Sequence, residues 1–359
     1  MALTPEQHAR LAGIGWRATP ESENLDADRV ARVIIQHRNS YVLHDGEKEF
    51  SAQPAPRFLR RDLDPVDRPA VGDFVVLDAT TKTPHIELVL PRRSTLMRGA
   101  AGESYKRQVI ATNVDHVLVL MGLDGDFNPR RIERYLLLIA GSGAQGVVVL
   151  SKADKHPDIA KPLAEVAAVV PEGTPVHAVN SKDAASLAVL AEYFGPGNSS
   201  VVVGSSGVGK STLTNTLLGT EHMATGAVRE HDSRGRHTTT HRALIRLPQG
   251  GCLIDTPGMR ELKLTGDEDL DAGQFADIEE LASKCRFGDC VHQREPGCAV
   301  REALESGALD PARWANYQKL RGELYAQAES LEAQLKRKSH DKVMNKALGQ
   351  RLKDKYGRR

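Results

Sequence analysis

The chain lacks several features that would each fix its class. Four cysteines in 359 residues are far too few for a disulfide scaffold. Aromatic residues are limited to 2 Trp, 7 Tyr and 7 Phe, so no extensive base-stacking platform is expected. The apolar runs, such as Val117 to Met121 and Val147 to Leu150, are too short to cross a bilayer. The opening residues Met1-Ala2-Leu3-Thr4-Pro5-Glu6 carry no basic stretch followed by an apolar core, so no secretory leader is expected. A cytoplasmic protein without membrane contact follows as the expectation. Net charge is also missing, at a formal +1. That excludes a uniformly basic nucleic-acid coat and an acidic disordered chain, but not segregated charge.

What is present is an ordinary globular composition, with a mean hydropathy of −0.38 and length for two to three domains. Residues 1–28 are polar and read as an irregular, flexible segment. From 29 to 92 the pattern is one of short strands. Val30, Val33, Ile34 and Ile35 start one, and Tyr41-Val42-Leu43-His44 runs into the turn Asp45-Gly46. About five strands without a helix predict a small β-barrel, with the OB fold leading over other small β-domains. A basic, glycine-containing connector follows, from Pro91 to Arg107. Strands then alternate with helices, including Val117–Leu120, a helix over 129–140 and Val147–Leu150. This predicts a mostly parallel sheet covered on both faces, within 93–268. The last block, 269–359, is helical. Trp314, Tyr317, Leu320, Leu324, Ala328, Leu331 and Leu335 share one helix face, which reads as packing.

The chemistry is concentrated in short motifs. Val201-Val202-Val203 leads into Gly204-Ser205-Ser206-Gly207-Val208-Gly209-Lys210-Ser211, with a helical pattern from Thr212. Strand, G-x-x-x-x-G-K-[ST] and helix in series make a phosphate loop. Its glycines let backbone N–H groups cradle phosphates at the positive end of a helix. Lys210 is expected on the β- and γ-phosphates and Ser211 on Mg²⁺. Asp255 ends a later apolar strand, in Asp255-Thr256-Pro257-Gly258. It suits the outer Mg²⁺ position, with the Gly258 N–H near the γ-phosphate. Between them lies Gly235-Arg236-His237-Thr238-Thr239-Thr240. Thr239 is the candidate for the second Mg²⁺ hydroxyl, although three threonines also suit an ordinary strand.

Ser151-Lys152-Ala153-Asp154 is similar to the Asn-Lys-x-Asp guanine motif. Its Asp carboxylate would accept from the guanine N1 and N2 donors, a pair adenine cannot supply. Asn180-Ser181-Lys182 has the form of the second base loop. These base motifs precede the phosphate loop, whereas ordinary GTPases have the reverse order. The chain therefore reads as a circularly permuted GTPase. The position after Gly258 is Met259, where small GTPases carry the glutamine that orients the attacking water. His237 is the candidate to replace it, against the plain alternative of a surface histidine.

Cys285-x4-Cys290-x-His292-x5-Cys298 supplies a full tetrahedral set for one structural Zn²⁺. Residues 336–359 hold ten Lys or Arg against two Asp, a local charge of +8 that leaves −7 on the rest. The near-neutral total is thus a cancellation. Such a tail suits RNA phosphates, or is a solvated helix end.

A β-barrel, a permuted GTPase with Gly-Arg-His-Thr-Thr-Thr and a Cys-x4-Cys-x-His-x5-Cys module, in series, resemble the RsgA/YjeQ family of bacterial small-subunit-dependent GTPases. The resemblance covers about 29–335. It implies GTP hydrolysis, stimulated by the small ribosomal subunit, late in that subunit's maturation. It also implies that the barrel and zinc module grip rRNA near the decoding region, and that His237 acts in hydrolysis. Ser151, in place of Asn, is the departure, and it bears on nucleotide affinity. A monomer that binds GTP or GDP with Mg²⁺ is expected. The alternative is a nucleotide-gated RNA-binding scaffold with incidental hydrolysis.

Overall fold

The computed structural model describes residues 4–17, 26–60, 62–78, 83–99, 107–219, 242–256, 265, 268, 270 and 273–329. The N-terminal strands are β1 (Val30–Gln36), β2 (Tyr41–His44), β3 (Glu49–Pro54), β4 (Phe74–Asp78) and β5 (His85–Val89). They pair in the order β1-β2-β3-β5-β4, and β4 returns to β1 to close a five-stranded OB-type barrel. Every contact is antiparallel except β3 with β5. Period-two alternation turns Ala31, Val33, Tyr41, Leu43, Val75 and Ile86 into the barrel core.

The first residues depart from the irregular segment expected. Thr4 caps helix α1 (Pro5–Ala12) and receives the Gln7 N–H at 3.2 Å, while Gln7 Oε1 accepts from Thr4 N at 2.9 Å. This capping box satisfies two donors that a helix start leaves unpaired. Leu11, Ile14 and Trp16 then bury against Val30 and Phe74. The stretch read as a connector also holds structure. β6 (Thr95–Gly99) and β7 (Arg107–Thr112) form an antiparallel pair.

The central domain is built from β8 (His116–Gly122), α2 (Pro129–Ala140), β9 (Gln145–Ser151), α3 (Ala160–Ala167), β10 (Val176–Ala178), a 3₁₀ helix (Ser186–Phe194), β11 (Ser199–Val203), α4 (Lys210–Leu218), β12 (Ala243–Arg246) and β13 (Cys252–Asp255). The sheet order is β10-β9-β8-β11-β13-β12. Its strands are parallel apart from β12. Val117, Val119, Val201, Val203 and Ile254 face one core layer, and Leu118, Leu120, Val202 and Leu253 the other. Near-continuous apolar strands are what burial on both faces demands. β12 also pairs with β1 through Ile35 and Ala243, so barrel and central domain share one sheet.

The C-terminal block contains α5 (Ala276–Ser283), α6 (Ala299–Ser306) and a helical stretch at 311–329. Asp310 accepts from Ala312 N at 2.9 Å at the start of that stretch. Tyr317, Leu320 and Leu324 are buried in the core shared with the central domain. Leu331, Leu335 and the basic tail lie outside the described residues. Among the described residues, no helix is long and apolar enough to cross a membrane.

Candidate nucleotide site and metal centre

The phosphate loop joins the end of β11 to the start of α4. Gly204 has φ +147°, and a Cβ there would sit 2.3 Å from the Leu120 carbonyl oxygen. The loop can therefore leave the sheet only with glycine at this position. Gly209, at φ +102°, occupies the N-cap of α4. Lys210 folds back over the loop, its Nζ donating to Gly204 O at 2.8 Å and Ser205 O at 2.6 Å. Ser206 and Gly207 are exposed, Val208 is buried, and Ser211 and Thr212 are half-buried.

The two base loops converge on this turn from the neighbouring strands β9 and β10. Ser151 is fully buried and its Oγ donates to Val208 O at 2.6 Å. The shorter hydroxyl thus makes a direct brace between base loop and phosphate loop. Lys152 adopts a left-handed conformation, φ +60°. Ala153 N donates to Val179 O at 3.2 Å, which ties the first base loop to the second. The Asp154 carboxylate is exposed. Asn180 Oδ1 accepts from Lys182 N at 3.0 Å. The Ser181 carbonyl accepts from Thr216 of α4 at 2.7 Å, and its buried hydroxyl has no partner.

Asp255 closes β13 opposite Ala243, half-buried at the same end of the sheet. Thr256 is buried behind it. His237, Thr239 and Gly258 lie outside the described residues.

Sequence reasoning missed a further set of charged groups at this site. Lys152 Nζ reaches Asp124 Oδ2 at 2.5 Å. Asp124 Oδ1 accepts from Asp126 N at 3.1 Å. Asp126 holds Arg131 by two bonds, of 2.9 and 2.8 Å. Arg131 Nη1 donates to Ser205 Oγ at 2.8 Å. The Lys152 ammonium holds the Asp124 carboxyl below its ordinary value, and Arg131 does the same for Asp126. One local signal was available. Asn128 caps α2 with Pro129 at its first position, so Arg130 and Arg131 fall in the first turn. Cations there oppose the helix dipole and need anionic partners.

The second centre lies in the C-terminal block. Cys285, Cys290, His292 and Cys298 place one ligand atom each within 4.8 Å of one another. Cys285 Sγ lies 3.5 Å from His292 Nδ1 and 3.9 Å from Cys298 Sγ, and His292 Nδ1 lies 3.4 Å from Cys298 Sγ. A tetrahedral Zn²⁺ with ordinary bond lengths sets S–S edges of about 3.8 Å and S–N edges of about 3.6 Å. The four residues could therefore hold a metal ion in that geometry. Desolvation, with the neighbouring Cys298 and Cys285 thiols, pushes the Cys290 thiol up to about 11, whereas at Cys285 desolvation is outweighed by the backbone N–H groups of Val300 and Ala299, which lower the thiol's pKa. Trp314 backs the His292 ring edge-on at 5.6 Å.

Comparison with known proteins gives a consistent result. A family model described as RsgA GTPase matches residues 89–265. A second, described as ABC transporter, matches residues 189–346, a span that contains the phosphate loop but neither base loop. The "Small ribosomal subunit biogenesis GTPase RsgA" of Xanthomonas euvesicatoria pv. vesicatoria is 51% identical over 356 residues, 96% of this chain and 97% of that one. Its namesake in Xanthomonas oryzae pv. oryzae is 55% identical over 317 residues, 88% of this chain and 86% of that one. Among solved structures, YjeQ from Thermotoga maritima matches with a TM-score of 0.60 and 26% identity, covering 84% of this chain and 98% of that one. YloQ, "a circularly permuted GTPase", matches with a TM-score of 0.55 and 24% identity over 83% of this chain and 95% of that one, a likeness of fold.

Proposed function

The chain belongs to the RsgA family of GTPases, and from that premise we propose that it hydrolyses GTP in the biogenesis of the small ribosomal subunit. The observation that carries the reading is the convergence of three loops, 151–154, 180–182 and 204–211, in a chain matched over nearly its whole length. A scaffold with incidental hydrolysis is not favoured, because its relatives are named as GTPases.

The roles proposed follow from position. Asp154 accepts from guanine N1 and N2, with the Lys152 stem along the base and the backbone at Asn180 and Ser181 closing the base edge. Lys210, whose Nζ donates to the Gly204 and Ser205 carbonyls, is the cation placed to turn to the β- and γ-phosphate oxygens. The half-buried Ser211 hydroxyl would hold Mg²⁺ together with Thr239, with Asp255 behind them. When bound, that ion neutralises phosphate charge. His237 orients the attacking water and Gly258 contacts the γ-phosphate. Cys285, Cys290, His292 and Cys298 hold one Zn²⁺, which stands in for a core too small to fold alone. We propose four segments, 1–28, 29–92, 93–268 and 269–359, in a cytoplasmic monomer that contacts rRNA through the barrel, the zinc block and the tail.

The deciding measurement is GTP turnover with and without isolated small subunits, with large subunits and free RNA as controls. Stimulation confined to small subunits is expected. A rate indifferent to them would remove the ribosomal part of the reading. Loss of subunit-stimulated single-turnover hydrolysis in His237→Ala would support its role, and a normal rate would remove it.

A further inference from the structure

The charged groups beside the nucleotide loops form a continuous chain. It runs from the Lys152 ammonium through Asp124 and Asp126 to the Arg131 guanidinium, and on to Ser205. Ser205 in turn offers its carbonyl to Lys210. Each link is at hydrogen-bond length; the step from Asp124 to Asp126 runs through the Asp126 backbone N–H, and the last step through the Ser205 carbonyl.

Two physical features mark the chain as more than surface decoration. First, it breaks a local rule. α2 opens with Arg130 and Arg131 and has no acidic residue in its first turn, which the helix dipole disfavours. Such violations persist where something else requires them. Second, Arg131 makes a planar two-bond contact with Asp126. That fork fixes the guanidinium in direction as well as position, so the second N–H of Nη1 aims at Ser205 with little freedom.

From this geometry we infer that Arg131 is a positioning residue for GTP hydrolysis, coupling occupation of the guanine loop to the shape of the phosphate loop. The inference rests on the proposed assignment of residues 151–154 as the guanine loop. A base seated against Asp154 orders the Lys152 stem. Its ammonium fixes Asp124, and through Asp126 the Arg131 fork holds Ser205. The Ser205 carbonyl then presents a fixed partner that Lys210 must leave when it turns to the phosphates. A poorly seated base relaxes the chain and leaves the phosphate loop less well formed, so the cost falls on the hydrolytic step as well as on binding.

The test uses the full-length protein with saturating nucleotide in single turnover, comparing GTP with inosine triphosphate, which lacks the exocyclic amino group. In the wild type, GTP should turn over several-fold faster than ITP. Arg131→Gln should slow GTP turnover about tenfold, a change of about 1.4 kcal/mol in the barrier. It should leave GDP affinity within about threefold and bring the GTP-to-ITP ratio close to one. Arg131→Lys, which keeps the charge but not the fork, should fail to restore the ratio. Asp124→Asn cuts the same chain at its other end, so the double variant should be no slower than the slower single one. Equal wild-type rates for GTP and ITP would overturn the inference. So would GDP affinity falling in step with turnover, or additive effects in the double variant. If wild-type protein hydrolyses ATP as fast as GTP, it is the guanine-loop assignment that fails, and this is visible before any variant is made.

Discussion

The central domain is joined to its two neighbours by buried arginines, and the two joints are built from opposite chemistry. Toward the barrel stands Arg32 of β1, with no exposed surface. It donates to Gly72 O at 3.0 Å, Ile14 O at 2.6 Å, Ser199 Oγ at 2.7 Å and Asn113 O at 3.1 Å, and stacks over Phe74. All of these hydrogen-bond acceptors are neutral, and burial lowers its pKa. Toward the C-terminal block stands Arg313. It takes Asp277 by two bonds of 2.7 and 2.6 Å, donates to Gln274 O at 3.0 Å and makes a close contact with Glu133 of α2. Burial works against the Arg313 charge, but Asp277 and Glu133 outweigh it and raise its pKa. Glu133 is itself fully buried, with Arg130 at 3.1 Å and Asn316 at 2.7 Å. Around Arg32 the barrel joint is therefore a clasp onto neutral acceptors, and beside it the Asp115 carboxylate is paired with Arg17 at 3.2 Å and Arg93 at 2.9 Å. The C-terminal joint is an ion cluster, which leaves a buried carboxylate if it is broken.

The largest perturbation available to this comparison is removal of the metal. A structural Zn²⁺ in a small module contributes on the order of ten kcal/mol to that module's folding. Treatment with a strong chelator, or Cys290→Ala, should abolish zinc stoichiometry and strip hydrogen-exchange protection from 273–329, including the Arg313 cluster. Amides of β1 and β2 around Arg32 should stay protected. Loss of protection across both joints at once would show that the two are not independent. Retained stoichiometry in Cys290→Ala would refute the ligand set.

Next in size are the arginines themselves. Arg313→Met should cost about 3 kcal/mol in denaturant unfolding, since Glu133 loses its closest cation while Arg130 still reaches it. Arg32→Met should cost about 1–3 kcal/mol, for neutral acceptors left without a donor. Adding Glu133→Gln should recover part of the first loss, whereas adding Ser199→Ala should recover little of the second. If the two single losses are equal and neither is rescued, the contrast in chemistry has no energetic meaning.

What could be read in advance follows the range of the interactions. The helix over 129–140, the barrel strands, the phosphate loop and the Cys/His set depend on residues close in sequence, and each was legible. α1 could have been found too, from Thr4-Pro5-Glu6-Gln7, but its polar composition masked the capping box. The joints were not legible. Arg32 and Arg313 look like solvated charges until the fold brings Ser199 or Glu133 to them, 167 and 180 residues away. The same holds for Arg131, whose partner Ser205 is 74 residues distant. The β1–β12 pairing likewise has no sequence mark, because edge strands do not declare their partners.

The smallest effect is one of pH, and it separates the joints by where each titrates. Outside the C-terminal block three histidines, one in the barrel and two in the central sheet, sit below their ordinary pKa because of burial: His44, beside Arg246, Glu49 and Asp45; His116, beside Asp115, Arg17 and Glu192; and His177, beside Glu192. His44 Nδ1 accepts from Gly46 N at 2.8 Å, a bond that its protonation would break. His177 pairs with the Tyr193 hydroxyl at 2.8 Å. Tyr193 is itself pushed up to about 12, so it stays neutral throughout. A histidine with a depressed folded pKa stabilises the fold above its unfolded value, about 6.5, and that contribution is lost as pH falls through the folded value. Asp277 also lies below its ordinary value. Desolvation works to raise it, and the Arg313 bonds overcome that, so its contribution persists until pH falls below about 4. Burial raises the pKa of Glu133 against the pull of Arg130 and Arg313, so its protonation on acidification relieves a buried charge and does not loosen this joint. Acidification from 7 to 5 should therefore loosen amides around β2, β8 and β10 while those of α5 and 311–329 hold. His44→Gln with His116→Gln should flatten the first transition. Hydrogen exchange read at pH 7, 5.5 and 5 against a rate-corrected reference checks this. Simultaneous loosening of both regions above pH 5 would mean that the barrel joint and the ion cluster open as one unit.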